Sequence, residues 1–225
     1  MKYVSIAIDG PSGAGKSTLA RKAATILGYL YVDTGAIYRT VALSAVRAGI
    51  DPANAQALVP TLDQLDIRLE YGEDGLQHMY LNGEDVSEAI RVHEISQHAS
   101  TVSAIPAVRA FLLEVQRDLA RKNNVIMDGR DIGTVVLPEA QVKIFLTASA
   151  ESRAHRRYLE LQQRGQDTKL ETVLQDIIKR DEQDTNRPIA PLRQAEDAVL
   201  LDTTQLNLEQ SLQAILDIIK EKVSL

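Results

Sequence analysis

The chain contains no cysteine and no tryptophan. Without thiols there is no disulfide, no Cys-ligated metal and no thiolate nucleophile, and the simplest compartment is the cytoplasm. Long apolar runs are missing too: none approaches the roughly 18 residues that cross a bilayer, so no membrane partner is expected. The opening Met1–Asp9 reaches an aspartate and then glycines before a signal-peptide core could form, so it is read as non-targeting. Excess positive charge is also lacking. The net charge is −6 and the pI about 5.3, which argues against a long nucleic acid as partner. Repeats and low-complexity tracts are absent as well. What remains is 44% hydrophobic and 25% charged residues over 225 positions, a globular composition long enough for one α/β domain with a small inserted lobe. A monomer is expected.

The charge is unevenly spread. Between Gly49 and Pro106 ten acids face two bases, a balance of −8, which leaves +2 for the rest. An acidic segment repels nucleotides, so it is assigned to shaping and closing a lobe, with a solvated acidic surface as the plainer reading. Arg outnumbers Lys 16 to 9, and seven Arg lie between Arg153 and Arg193. Guanidinium groups suit bidentate phosphate contacts. A solvated helix face explains the same count.

Five apolar runs, each ending in a polar residue, read as strands: Tyr3–Asp9, Tyr29–Asp33, Asn124–Asp128, Val142–Thr147 and Ala198–Asp202. They do not alternate cleanly, as expected of strands covered on both faces. Helical periodicity falls between and after them, over Lys16–Leu27, Val108–Arg121, Ser149–Arg164, Leu170–Asp184 and Leu208–Lys222. Alternating strands and helices predict a parallel, doubly wound sheet whose ligands sit beyond the strands' carboxyl ends. Residues 60–90 break the rhythm. Period-two stretches Leu65–Tyr71 and His78–Leu81, with turn chemistry at Gly72–Gly75 and Asn82-Gly83, predict a small antiparallel meander inserted after the second core strand.

Gly10-Pro11-Ser12-Gly13-Ala14-Gly15-Lys16-Ser17 matches the phosphate-loop pattern at every fixed position, between a strand and a helix as it should be. Such a loop turns successive N–H groups and a helix N-terminus on one anion. Lys16 is expected to reach the β/γ-phosphates, and the Ser17 hydroxyl to ligate Mg²⁺ directly or through water. Asp128, ending an apolar strand, is the candidate second Mg²⁺-associated carboxylate, through water. A nucleoside-triphosphate site follows.

Three more clusters mark strand ends or the Arg-rich segment: Asp33–Arg39, Asp128–Asp131 and Arg180–Arg187. On a continuous helix Arg180, Asp184 and Arg187 fall within about 60° of one another. Asp181 lands on the apolar stripe, as if the helix had outrun its core there. A plain Arg180–Asp184 surface pair is the competing reading. Phosphoryl transfer between two anions needs such cationic groups and little covalent chemistry. The histidines His78, His93, His98 and His155 lack metal-like spacing and are read as structural or solvated.

Taken in order, Ile8–Ser17, Asp33–Arg39, Asp128–Val136, Arg153-Ala154-His155-Arg156-Arg157 and Arg187–Leu192 resemble the bacterial cytidylate kinase family along essentially the whole chain. The resemblance implies ATP-dependent phosphorylation of CMP and dCMP with Mg²⁺. It also implies a P-loop NTPase-type fold: a five-stranded parallel sheet flanked by helices, an inserted antiparallel β lobe and a helical lid. The core would span about 1–35, 107–150 and 190–225, the monophosphate lobe about 36–106 and the lid about 151–168. Gly10 to Ser17 and Thr18 would hold ATP, with Arg153, Arg156 and Arg157 closing over its phosphates. Thr34, Arg109, Asp131 and Arg187 would face cytosine, with Ser100 nearby. Arg39 and Arg130 would hold the acceptor phosphate, and Arg180 and Asp184 would touch the sugar. Lys16, Arg130, Arg180 and Arg187 would be the catalytic cations. Ile37 stands where a Met is common, and Ser100-Thr101 falls in a variable stretch.

The alternatives are another small-acceptor kinase, for UMP, AMP or a metabolite, or a nucleotide-binding regulatory module. The first is not expected to carry Asp128-Gly129-Arg130-Asp131 with the Arg180–Arg187 set. A GTP-dependent switch would need an Asn-Lys-x-Asp guanine-reading motif, which the chain lacks.

Overall fold

A computed structural model describes residues 3–72, 77–163 and 165–223. The chain enters as β1 (Ser5–Asp9), turns through the glycine-rich loop into α1 (Lys16–Leu27), and returns as β2 (Leu30–Asp33). It continues through α2 (Thr34–Arg47), α3 (Ala55–Leu58), β3 (Ile67–Tyr71), β4 (Gln77–Leu81), β5 (Glu84–Asp85), α4 (His93–Ser103) and α5 (Pro106–Lys122). It closes with β6 (Val125–Gly129), β7 (Val142–Thr147), α6 (Ala150–Gln163), α7 (Leu170–Asn186), β8 (Val199–Asp202) and α8 (Leu208–Lys222).

Two compact units result, one of Met1–Tyr31 with Ala120–Leu225 and the other of Val32–Leu119. The principal sheet is five-stranded and parallel, in the order β2-β6-β1-β7-β8. In its centre β1 pairs with β6 from Ser5↔Val125 to Asp9↔Gly129, and with β7 from Ile6↔Val142 to Asp9↔Phe145. Ile6, Ala7 and Ile8 are fully buried, so both faces of β1 are covered, which is why its sequence does not alternate. Leu19, Ala20, Ala23 and Ala24 of α1 join Ile215, Leu216 and Ile219 of α8 on the core of that sheet.

The second unit carries the antiparallel sheet β3-β4-β5, registered from Ile67↔Leu81 to Tyr71↔Gln77 and from Tyr80↔Asp85 to Leu81↔Glu84. Asn82 and Gly83 turn β4 into β5 with φ of 51° and 84°, the two positive angles a type I′ turn requires. The meander is therefore shorter than the predicted 60–90. Residues before and after it are helical instead, and α2 packs on α4. The turn predicted at Gly72–Gly75 lies largely outside the described residues.

The Asp33–Arg39 cluster follows β2 directly, as read, and opens α2, whose start the Asp33 carboxylate caps by accepting from Ala36 N at 2.9 Å. One predicted feature is corrected. Arg187 does not continue the face of Arg180 and Asp184: α7 stops at Asn186 and Arg187 is extended, at φ −62° and ψ 139°. Pro188 is the cause, since a residue before proline is driven from the helical region.

Gly10 is the position where only glycine serves. Its φ is +149°, and a Cβ there would stand 1.9 Å from the Leu146 carbonyl oxygen on β7. Gly10→Ala is expected to destabilise the fold by about 1–3 kcal/mol, through strain plus displacement of the loop from β7. A urea-denaturation midpoint equal to wild type would contradict this.

Candidate functional site

Everything the phosphate loop needs is set by how β1 hands over to α1. Gly15 caps the helix in the left-handed region, at φ 88°, with no side-chain cap, and no acidic residue occupies the first turn. The N–H groups that open α1 thus have no competing carboxylate of their own turn, which is the condition for anion binding. Lys16 is buried, and its Nζ donates to the Pro11 carbonyl at 2.7 Å. Burial and the nearby Arg130 charge lower its pKa.

Ser17 Oγ donates to Asp128 Oδ2 at 2.8 Å, and Tyr31 OH donates to Oδ1 at 2.8 Å. A hydroxyl and a carboxylate held together beside a phosphate loop match the oxygen-only, few-ligand way in which Mg²⁺ is bound along with substrate phosphates. Larger groups of acidic or histidine ligands are absent among the described residues. Asp9, at the carboxyl end of β1, accepts from the backbone N–H of Ile132 at 2.8 Å and of Gly133 at 2.7 Å. It thereby holds the turn Ile132–Val136 that follows Asp131. Burial raises its pKa to about 6 despite those two donors.

Two Arg residues of the predicted clusters are met by carboxylates of the same unit. Arg130 Nε lies 2.7 Å from Asp184 Oδ2, and Arg187 Nη2 lies 3.2 Å from Asp131 Oδ1. Burial works against the Asp184 charge, but Arg130, Arg180 and Arg187 hold its pKa below the usual carboxylate range. The three arginines predicted to close over ATP lie on α6. Arg153 is buried and donates to Ala148 O at 2.8 Å and Ser12 O at 3.0 Å, while meeting Asp181 at 2.6 Å. Arg156 donates to Thr203 O at 2.7 Å, and Arg157 pairs with Glu160 at 2.8 Å. Thr18, predicted with the loop, is the third residue of α1.

In the other unit Thr34 is buried as the first residue of α2. Arg39 reaches back along that helix to Asp33 at 2.7 Å. Gln77, on β4, accepts from the backbone N–H of Asp33 at 3.0 Å, so the inserted sheet holds the residue that orients Arg39. Arg109 is buried, its guanidinium 5.7 Å from the Tyr38 ring centroid and donating to Ser103 O at 3.3 Å. Ser100, on α4, uses its carbonyl to accept from Ser103 Oγ at 2.8 Å. Sequence reasoning missed Tyr31, Tyr38 and Gln77. Tyr38 lay inside a quoted motif, but nothing local marks the other two.

A family model described as cytidylate kinase matches residues 6–221. The chain belongs to the cytidylate kinase family. A curated cytidylate kinase of Caldicellulosiruptor bescii is 50% identical over 218 residues, 97% of this chain and 96% of that protein. One of Carboxydothermus hydrogenoformans is 49% identical over 217 residues, 96% of this chain and 97% of its own. Among solved structures, an uncharacterized protein from Eubacterium ventriosum aligns over 96% of this chain and 98% of its own, with TM-score 0.54 and 12% identity, a likeness of fold. Membership of the family puts a name to the loop without assigning individual residues of the site. No helix among the described residues is long and apolar enough to cross a membrane.

The raised pKa of Asp9 has a sign that can be tested. Between its ordinary 3.8 and about 6 the folded chain binds more protons at this residue than the unfolded chain. Its contribution to stability is therefore full below about pH 4 and is lost as pH rises through about 6. In urea titrations across that window, wild type is expected to lose stability relative to Asp9→Asn, on the order of a few kcal/mol. Parallel stability curves for the two proteins would refute the assignment.

Proposed function

We propose that the chain transfers the γ-phosphoryl group of ATP to CMP and dCMP, giving ADP and CDP or dCDP, with Mg²⁺. The observation that carries this reading is the phosphate loop in the same unit as the buried Asp131–Arg187 pair, in a chain about half identical to cytidylate kinases. In the reaction an oxygen of the CMP phosphate bonds to Pγ as the bond from Pγ to the β/γ bridging oxygen breaks. The acceptor is already anionic and needs no strong base, so positioning and charge neutralisation supply the rate.

Gly10, Pro11, Ser12, Gly13, Ala14, Gly15, Lys16, Ser17 and Thr18 form the donor cradle, their N–H groups and the opening of α1 taking the phosphates. Lys16, whose Nζ donates to Pro11 O, turns to the transferring group. Ser17 and Asp128 would hold Mg²⁺, which supplies neutralisation of phosphate charge when bound. Arg156 and Arg157 belong to the lid, about 151–168, and take the donor from its far side. Arg39 and Arg130 take the acceptor phosphate, Arg180 and Asp184 the sugar, and Thr34, Ser100, Arg109, Asp131 and Arg187 the base. Lys16, Arg130, Arg180 and Arg187 are the cations that meet charge as it develops.

Cytosine presents an N4 amino donor beside acceptors at N3 and O2. Asp131 accepts from N4, and Arg109 and Arg187 donate to the acceptors. Uracil would turn O4 towards the carboxylate and leave buried polar groups unpaired, which sites built on hydrogen bonds reject. A coupled ADP-release assay over AMP, CMP, dCMP, GMP, UMP and shikimate is expected to show turnover led by CMP and dCMP, with kcat/KM for UMP lower by about 100-fold or more. Asp131→Asn is expected to cut kcat/KM for CMP by about 10- to 100-fold and to narrow the gap to UMP. Turnover led by another acceptor, or a CMP-to-UMP ratio untouched by Asp131→Asn, would overturn the reading.

A further inference from the structure

We infer that Arg153 and Asp181 are positioning residues that strap the phosphate loop to helix α7, so that a donor nucleotide on the loop strengthens acceptor binding. The inference rests on the reading of the loop as the donor site and of the α7 groups as acceptor-side.

One nitrogen carries the connection. Arg153 Nη1 donates to the Ser12 carbonyl of the loop at 3.0 Å and also meets Asp181 Oδ2 of α7 at 2.6 Å. The same nitrogen thus hydrogen-bonds the loop and stands in ion-pair contact with the helix. Arg153 Nε is anchored in turn on the Ala148 carbonyl just beyond β7, at 2.8 Å. The guanidinium therefore has little freedom to follow one partner without moving the other.

The surroundings are built for this contact. A Cβ on Gly13 would stand 3.2 Å from Arg153 Cβ and 3.5 Å from Ile177 Cδ1, so the loop lies directly against both α6 and α7. Those helices share an apolar cluster of Ala154, Leu161, Val173 and Ile177, which packs one against the other. Asp181 is the residue between Arg180 and Glu182 on α7, three before Asp184, whose carboxylate holds Arg130.

Stability alone is a poor reason for the pair. A buried ion pair gains little over apolar residues of the same volume. Here Asp181 Oδ1 is also buried without a hydrogen-bond partner, an added cost that a purely structural carboxylate would not carry. The arrangement does fix the register between the loop and the acceptor-side helix. A donor phosphate that reorients the Ser12 peptide shifts Arg153, and through it Asp181 and its neighbours. By linkage the acceptor must favour donor binding by the same factor.

The test is calorimetric. CMP affinity is measured with and without a saturating non-hydrolysable MgATP analogue, for wild type, Arg153→Lys, Asp181→Asn and the double variant Arg153→Met/Asp181→Leu. The double variant removes both charges of the pair together and so leaves neither partner unpaired, which is expected to keep the chain folded even where a single change does not. Wild type is expected to bind CMP at least about fivefold more tightly with the analogue present. That ratio should fall to within about twofold of one in every folded variant, the double being no worse than the singles, as expected for groups acting as one device. A merely structural pair would lower the thermal midpoint and leave the ratio alone. A wild-type ratio of one, or a ratio that survives in the folded double variant, overturns the strap. Either result in an enzyme that still phosphorylates CMP leaves the catalytic reading intact, whereas a wild type without CMP turnover overturns that reading itself.

Discussion

Guanidinium groups buried in a fold have to be neutralised by the fold itself. In this protein carboxylates of the chain do it: Asp33 against Arg39, Asp131 against Arg187, Asp184 against Arg130 and Asp181 against Arg153, all between 2.6 and 3.2 Å. The last three pairs belong to one unit and are largely buried, where an unpaired guanidinium would cost several kcal/mol. Any anion that binds these arginines must therefore compete with groups that already satisfy them. Its net affinity is the difference between two good sets of contacts, and selectivity comes with that competition. A ligand that leaves a released carboxylate without a donor is penalised twice, and on the proposed reading of Asp131 that penalty separates uracil from cytosine.

The phosphate loop follows the same logic with backbone groups. Lys16 donates to the Pro11 carbonyl of its own loop, and Ser17 to Asp128, so both side chains are held in place by the chain itself. Tyr31 takes the other oxygen of Asp128 and fixes which face of the carboxylate is offered to Ser17. Asp9 does the corresponding work for the turn behind Asp131, through two backbone donors at the cost of a buried charge. Membership of the cytidylate kinase family fits a site in which charge and position, rather than nucleophilic side chains, are prepared in advance.

Much of this was legible in the sequence, for a local reason. Buried parallel strands announce themselves by apolar runs that end in a polar residue, and the five runs became β1, β2, β6, β7 and β8 with ends shifted by a residue or two. The phosphate loop is contiguous, so its residues could be read together. The start of α2 at Thr34 was hidden because Asp33 serves as strand end and helix cap at once. The exit of Arg187 from α7 carried a signal, Pro188, that a face-counting argument overlooks. Pairings across long separations carried none. Tyr31 meets Asp128 across 97 positions, and Gln77 meets Asp33 across 44. Asp181 looked like a helix overrunning its core and is instead the half-buried partner of Arg153, a pairing between helices that apolar periodicity cannot show.

The most direct test of internal charge pairing is a crystal structure of the chain with CMP bound. The account predicts that the Arg187–Asp131 contact opens, with Asp131 accepting from the cytosine amino group and Arg187 turned to the ring acceptors. An unbroken Arg187–Asp131 pair, with cytosine bound to neither, would contradict it.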